Sequence, residues 1–398
     1  MKKIELLAPA GDLERLKTAI VYGADAVYIG GKQFSLRSRA SNFDLAEIRE
    51  AVMFAQQYGA QVHVTVNMIP HEEDLEGLKE YIKALEECGV KVVIVASLFI
   101  MQTVKEVSPN MEVHLSTQQS ALNRKAVEYY QTCGVDRVVL GRELNIQQIQ
   151  QLTKDSPVPL EVFIHGGMCA NYSGRCTLSN FMTLRDANRG GCAHSCRWKY
   201  HLFHDKEEMS LENCLFSMSS KDLMAAEYLE PIIQSGVVSL KIEGRMKSFY
   251  YIATIVKAYR DLIDAYYEKQ ELSVEDYNTF YRELAMAENR PTSEGFYGKI
   301  PDKEGHLYGI NGEGVTHDFL GKILDYQNGK ALVEVRNYFV RGEEVEIFSP
   351  NQDNRKIVIA SISSEMDEDI EICNQPMSRV WIPIPFAVNA YDIMRKSS

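Results

Sequence analysis

Through residue 245 the apolar positions fall into short β-branched runs, each followed by a stretch of helical period. The runs occupy residues 4–8, 26–30, 62–67, 92–97, 112–117, 137–142, 160–165 and 237–243. Amphipathic helices are predicted between them over 13–22, 45–58, 74–88, 100–107, 125–133, 146–154 and 221–235. Gly23, Gly89 and Gly134 stand where several of these helices stop, the place for a left-handed residue that turns the chain into the next strand. Eight strands alternating with helices is the count of an α/β fold of the (β/α)8 TIM-like barrel type. The rival is a doubly wound open sheet, but no G-x-G-x-x-G follows the first strand, where a dinucleotide site would put it.

The alternation breaks once. Residues 166–220 intervene between strand seven and its helix, and a loop of that length inside a compact domain is usually functional. In a barrel it leaves from the C-terminal face, where active sites are built. After strand eight, helices are predicted over 249–269 and 273–289, and residues 291–298 read as a linker. From residue 308 the pattern changes to short strands at 321–326, 331–335, 344–348, 356–360 and 380–383, with tight-turn pairs at Asn328-Gly329 and Arg341-Gly342. The expected organisation is therefore a barrel domain over 1–300 and a small C-terminal all-β barrel domain over 308–398.

Composition narrows the class. The chain has 398 residues, 45% hydrophobic and 25% charged, which is globular and excludes a disordered or fibrous protein. Its net charge of −12 supplies no global field for nucleic acid, so any such binding needs a local patch. The N-terminal lysines precede no apolar stretch of signal-peptide length, and the longest clean apolar run, 92–101, is too short for a bilayer. A soluble, cytoplasmic protein without membrane contact is expected. In a reducing compartment its eight cysteines point to a metal or redox site before disulfides.

Four of them, Cys169, Cys176, Cys192 and Cys196, crowd the insertion with spacing C-x6-C-x15-C-x3-C. Zinc sites usually pair their ligands as short knuckles, a form only Cys192 and Cys196 take. Thiolates on a wide glycine-rich loop suit an iron–sulfur cluster better, and Gly166, Gly167, Gly174, Gly190 and Gly191 supply the freedom. Zinc stays open as the second choice. Cys214 is close enough in sequence to replace one ligand.

Alternation along the strands sorts polar residues onto one face. That face carries His63, Thr65 and Asn67 in strand three, His114, Ser116 and Gln118 in strand five, and Ser239, Lys241 and Glu243 in strand eight. The branched apolar residues between them belong against the helices, so the polar ones point into the barrel, either as a satisfied polar core or as the lining of a substrate cavity. A buried lysine needs a partner, and Glu243 is the expected one for Lys241. Arg245 and Lys247 precede the last barrel helix, whose N-terminus favours anions. His165 ends strand seven beside the cysteine loop and is a candidate acid or base. The insertion also mixes Arg175, Arg185, Arg189, Arg197, Lys199 and Lys206 with Tyr172, Phe181, Trp198 and Tyr200, a composition suited to unstacked bases.

These residues also carry a resemblance. Glu161-Val-Phe-Ile-His-Gly166-Gly167-Met-Cys169 and Gly174-Arg-Cys176-Thr-Leu-Ser179 resemble the signature of the collagenase-like U-32 peptidase family. Arg185-Asp-Ala-Asn-Arg-Gly-Gly-Cys192, Cys196-Arg197-Trp198 and Lys241-Ile-Glu-Gly-Arg245-Met-Lys-Ser-Phe-Tyr-Tyr251 resemble its tRNA-hydroxylation branch. The resemblance runs over nearly the whole chain. It implies an enzyme that uses prephenate to convert the wobble uridine of certain tRNAs to 5-hydroxyuridine. It also implies a 4Fe–4S cluster on Cys169, Cys176, Cys192 and Cys196, although some relatives take the last cysteine from further downstream. Lys241, Glu243 and His165 are the expected catalytic residues. Arg245 and Lys247 are expected to hold the small dicarboxylate, with Asn67, His114, Ser116, Gln118 and Arg197 completing the substrate site. The anticodon region of tRNA is the expected partner, and a related partner subunit is allowed. Two alternatives stand beside this. One is a collagenase-like peptidase, for which the chain offers no H-E-x-x-H and no evident Ser/His/Asp set. The other is a non-enzymatic iron–sulfur redox or assembly module, which has no need of a polar lumen.

Overall fold

The computed structural model describes residues 3–36, 42–210, 215–287, 290–307, 318–350 and 352–397. Its first sheet closes on itself. Strands β1 (Glu5–Pro9), β2 (Ala26–Gly30), β3 (Gln61–Val66), β4 (Val92–Val95), β5 (Glu112–Leu115), β6 (Arg137–Val139), β7 (Leu160–Gly166) and β8 (Ser239–Ile242) pair in sequence order, all parallel. β8 then bonds both β7 and β1, with Ser239 level with Glu161 on one side and Glu5 on the other. The (β/α)8 barrel expected from the periodicity is present.

Helices α1 (Leu13–Val21), α2 (Leu45–Gln57), α3 (Leu78–Glu87), α4 (Leu98–Val107), α5 (Arg124–Thr132), α6 (Ile146–Thr153), α7 (Leu229–Gln234) and α8 (Phe249–Lys269) surround it, followed by α9 (Val274–Ala285). Their starts are written locally. Asp44 and Glu47 form a reciprocal capping box on α2, and Asn145 and Gln148 do the same on α6. α3 begins later than its period suggests, because residues 72–74 make a separate 3-10 turn and Gly77 adopts a left-handed φ of 76°.

Two apolar populations result. The outward faces of the strands join the helices in one large core, while Leu7, Ala26, Tyr28 and Ile94 form a small separate cluster inside the barrel. Buried polar and charged side chains, among them His63, His114, Glu161 and Lys241, share the interior with them.

The insertion holds little regular structure: a short helix at Leu178–Thr183 and a two-stranded hairpin, Phe203–His204 with Glu207–Glu208. Residues 221–235, read as one helix, divide. Asp222–Met224 pairs antiparallel with the end of β7, Ala226–Tyr228 makes a 3-10 turn, and Leu229–Gln234 is α-helical. The stretch read as a linker is part of the same ladder, since Thr292–Ser293 pairs with Asp222–Leu223.

The C-terminal part is antiparallel and all-β. β9 (Phe319–Gln327), β10 (Lys330–Val335), β11 (Glu344–Phe348), β12 (Arg355–Val358), β13 (Arg379–Pro383) and β14 (Ile393–Lys396) form one sheet ordered β12-β11-β14-β9-β10-β13, with Ser363–Ser364 added at the β13 edge. Residues 308–317, where the change of pattern was expected, lie outside the described residues. The sheet docks on α1, α8 and α9. Tyr22 stacks on Phe348 with ring centroids 5.4 Å apart, and fully buried Arg395 bonds Glu283 of α9 at 2.8 Å and Glu346 at 2.6 Å.

Candidate active site

The lumen is organised around charge. Lys241 on β8 places its ammonium 2.8 Å from Glu161 Oε1 on β7, both side chains buried, and 4.6 Å from the centre of the Tyr28 ring. Glu161 also receives Arg137 of β6 at 3.2 Å, Arg137 bonds Glu5 at 2.6 Å, and Ser239 donates to Glu5 at 2.7 Å. Burial works to raise the Glu161 pKa, but the attraction of Lys241 and Arg137 overcomes it and holds the carboxyl far below the carboxylate range. Glu243 is therefore not the partner of Lys241, as its position two residues along the strand had suggested. The lateral neighbour one strand away fills that role, and Glu161 was missed although its alternation with Val162 and Ile164 carried the signal.

Near these charges His63 stands edge-on to His114, ring centroids 5.1 Å apart, and His114 Nε2 lies 3.3 Å from Glu112. Burial lowers the pKa of both histidines. Thr65 bonds Ser35, Ser116 bonds the Gln118 side chain, and Asn67 accepts from the Leu36 N–H at 3.2 Å. Several polar groups of the inner faces thus satisfy one another, whereas both ring nitrogens of buried His63 and Nδ1 of His114 have no hydrogen-bond partner among the described residues.

His165 does not face the lumen. The register of β7 against β8 slips between Lys241 and Ile242, and such a bulge turns the following side chain to the other side. The ring packs between Tyr251 and Tyr259 of α8, with Nδ1 3.3 Å from the Tyr259 hydroxyl. Burial, with a smaller contribution from Lys247, lowers its pKa to about 3, so the imidazole is neutral.

Arg245 reaches the mouth. Its buried guanidinium donates to Asn42 Oδ1 at 2.7 Å, Ser35 Oγ at 3.3 Å and Thr65 Oγ1 at 3.4 Å. It fits because strand β2 ends in glycine: a Cβ at Gly30 would collide with both terminal nitrogens of Arg245. The last barrel helix starts after this turn, with Ser248 as its cap, so Arg245 acts from a side chain and not from the helix end. Lys247 lies 3.6 Å from Asp222, itself held by Arg290 at 2.9 Å, and neither of these two residues had been singled out.

The insertion straps the C-terminal face. Ile69 N–H donates to Asn188 O, Arg189 bonds Glu73 and Asp74 at 2.9 and 2.8 Å, Ser173 N–H donates to Glu143, and Arg142 donates to Gly167 O. These contacts reach the loops after β3 and β6, and Gly174, left-handed at φ 69°, packs directly on the Gln118 carbonyl after β5. At the root of the insertion Arg197 Nη2 and Glu243 Oε2 approach from two sides. They would stand 3.0 and 3.4 Å from a Cβ on Gly167, which is why a residue without one suits that position.

All four insertion cysteines are free thiols, as are Cys88, Cys133 and Cys373; Cys214 lies outside the described residues. Burial pushes the Cys196 thiol up; Arg197 opposes this, and Cys169, Cys192 and Cys176 add to it, so the four share one electrostatic neighbourhood. Among the described residues no group of three or more His, Cys, Asp or Glu is arranged to hold a single metal ion. Side-chain donors already address two of the sulfurs: Arg142 Nη2 lies 3.6 Å from Cys169 Sγ and Asn171 Nδ2 lies 3.2 Å from Cys176 Sγ.

Of the aromatic residues, Phe181 is 84% exposed, Tyr172 61% and Trp198 41%, whereas Tyr200 turns inward and donates to Ser195 O. Lys206 is offset by Glu207 and Glu208 on its hairpin, so the basic excess belongs to residues 166–200, where five basic residues face Asp186 alone. No helix among the described residues is long and apolar enough to cross a membrane.

The chain is similar to known proteins along nearly its whole length. A protein of Bacillus subtilis named tRNA hydroxylation protein P1 is 44% identical over 402 residues, covering 99% of this chain and 95% of its own. A 23S rRNA 5-hydroxycytidine synthase of Escherichia coli is 40% identical over 67% of this chain and 40% of its own. A protein of Porphyromonas gingivalis named collagenase is 32% identical over 87% of this chain and 86% of its own. The family model for peptidase family U32 matches residues 11–307 and that for the U32 C-terminal domain matches 315–395. Barrel and β domain are thereby both accounted for, and the chain belongs to peptidase family U32.

Proposed function

We propose that this protein is an RNA-modifying enzyme that hydroxylates the wobble uridine of tRNA at C5, with prephenate as co-substrate. The observation that carries the reading is the insertion: four neighbouring thiols, a glycine-rich backbone and exposed aromatics strapped over the mouth of a barrel in which the buried Arg245 guanidinium bonds Ser35, Thr65 and Asn42. Relatives named for tRNA hydroxylation and for 5-hydroxycytidine synthesis in rRNA support hydroxylation of an RNA base.

In this reading Cys169, Cys176, Cys192 and Cys196 hold a 4Fe–4S cluster. Each of the four would supply one thiolate to the cluster, the donor type that iron–sulfur centres take. The cluster supplies redox chemistry when bound. Arg245 binds a carboxylate of the dicarboxylate through its fork, within reach of Ser35, Asn42 and Thr65. Phe181 and Trp198 stack on bases of the unpaired anticodon loop, and Arg185, Arg197 and Lys199 neutralise its phosphates. Lys241 and Glu161 keep the lumen floor charged and rigid beneath the site.

The peptidase reading gains no support from the strand histidines His63, His114 and His165. His63 packs on His114, His114 bonds Glu112 and His165 bonds Tyr259, so none is paired with a serine or cysteine nucleophile in these contacts. The test is nucleoside mass spectrometry of tRNA from cells lacking the protein, complemented with wild type or with Cys169→Ala/Cys176→Ala. Loss of 5-hydroxyuridine, restored by wild type alone, is expected. Unchanged 5-hydroxyuridine in the complemented double variant would defeat the reading.

A further inference from the structure

Arg142 lies in the turn between β6 and α6 and had not been selected from the sequence. Both terminal nitrogens of its guanidinium are engaged. Nη1 donates to Gly167 O at 2.7 Å, Nη2 to Cys169 Sγ at 3.6 Å, and the guanidinium carbon lies 5.2 Å from the centre of the Phe163 ring. Phe163 points into the lumen, where Lys241 approaches the same ring at 5.4 Å. Nε is buried and has no hydrogen-bond partner among the described residues, an arrangement that costs free energy and that a side chain placed only for packing would avoid. The fork thus grips the backbone of the cysteine loop with one nitrogen and a cysteine sulfur with the next, while β7 fixes its plane from below.

We infer that Arg142 is a positioning residue for the cysteine site: it orients Cys169 and, through the N–H···S contact and its fixed charge, sets the reduction potential of the group the cysteines hold. This rests on the cluster reading above. A donor to a ligand sulfur withdraws electron density and, with a nearby cation, favours the reduced, more negative state, so it raises the potential. Asn171, donating to Cys176 Sγ, acts in the same sense from the exposed side, without a charge.

The experiment uses the full chain, reconstituted anaerobically with iron and sulfide, as wild type, Arg142→Gln, Arg142→Lys and Asn171→Ala. Iron content and the midpoint potential of the loaded fraction, followed by electron paramagnetic resonance, are the readouts. The expected result is a negative shift of the midpoint in Arg142→Gln, a smaller one in Arg142→Lys, which keeps the charge but not the fork, and the smallest in Asn171→Ala. A merely structural role would lower iron content and leave the potential of the loaded fraction unmoved. If Arg142→Gln does not fold, the comparison of Arg142→Lys and Asn171→Ala with wild type decides. Equal potentials in iron-replete proteins overturn the role of Arg142 alone. A wild type that takes up no iron overturns the cluster reading and this inference with it.

Discussion

Lys241 and Glu161 face each other across adjacent barrel strands at 2.8 Å, both side chains withdrawn from solvent. The pair matters because both charges are withdrawn from solvent, so either is left poorly compensated if the other is lost. Lys241→Met leaves Glu161 with Arg137 as its main compensation, and removing one member of a buried pair typically costs about 3–5 kcal/mol. A double variant, Lys241→Met with Glu161→Leu, is expected to recover part of that loss. Urea unfolding of the three proteins measures both effects. Full stability in Lys241→Met would mean that the lysine is held for chemistry and not for the fold.

Acid lability follows from His165. Its pKa is about 3 in the folded chain, with burial the main cause, against about 6.5 when unfolded. A depressed pKa means that the stabilisation is complete above pH 6.5 and is lost as pH falls from there towards 3. The slope from this one proton is at most about 1.4 kcal/mol per pH unit. His165→Phe fits the aromatic slot beside Tyr251, and Tyr259 keeps its bond to the Ile164 carbonyl. The variant is expected to show a shallower fall in stability between pH 6.5 and 4, measured as unfolding midpoints across that range. A parallel fall in both proteins would show that the proton goes elsewhere.

How Arg245 is seated gives a second route to remove it. Gly30→Ala puts a methyl group where the guanidinium lies, so it is expected to reproduce Arg245→Gln without touching a charge. Losing a charge-assisted bidentate contact should weaken prephenate binding by about 2 kcal/mol, roughly thirty-fold. Calorimetric titration of both variants checks this, and their iron content should match wild type because the bonds of Arg245 to Ser35, Thr65 and Asn42 lie outside the insertion. Unchanged affinity in both would remove Arg245 from the binding site.

Much of this was legible in the residue pattern, for stated reasons. Period-two runs alternating with period-3.6 runs leave few folds to choose between, so barrel, insertion and β domain could all be read in advance. Lateral relations were harder. Lys241 and Glu161 are eighty positions apart and meet only because β8 closes on β7. Intra-strand reasoning offered Glu243 in its place. His165 was misplaced for a subtler cause: alternation assumes an unbroken ladder, and the bulge at Lys241/Ile242 flips its face. Arg142 and Arg290 sit in turns, where no period marks a side chain as special. Conversely Arg189 looked like an RNA contact by composition and is instead tied to Glu73 and Asp74.

That last distinction yields the sharpest test of the RNA surface. Phe181 and Trp198 are exposed, so replacing either by alanine should change stability by no more than about 0.5 kcal/mol. If each stacks on a base, the same change should weaken binding of an unmodified anticodon stem-loop by about 1–3 kcal/mol. Arg185→Ala should lower affinity across sequences and reduce the dependence of log affinity on log salt by about one. Arg189→Ala should do the reverse, costing stability through the loss of its ion pairs on the loop after β3 while leaving the salt slope in place. Fluorescence anisotropy at two salt concentrations, paired with thermal unfolding, separates these outcomes. Equal RNA affinity in wild type, Phe181→Ala and Trp198→Ala would take these two rings out of the RNA site and leave Tyr172 and Phe203 as the exposed aromatic groups of the insertion among the described residues.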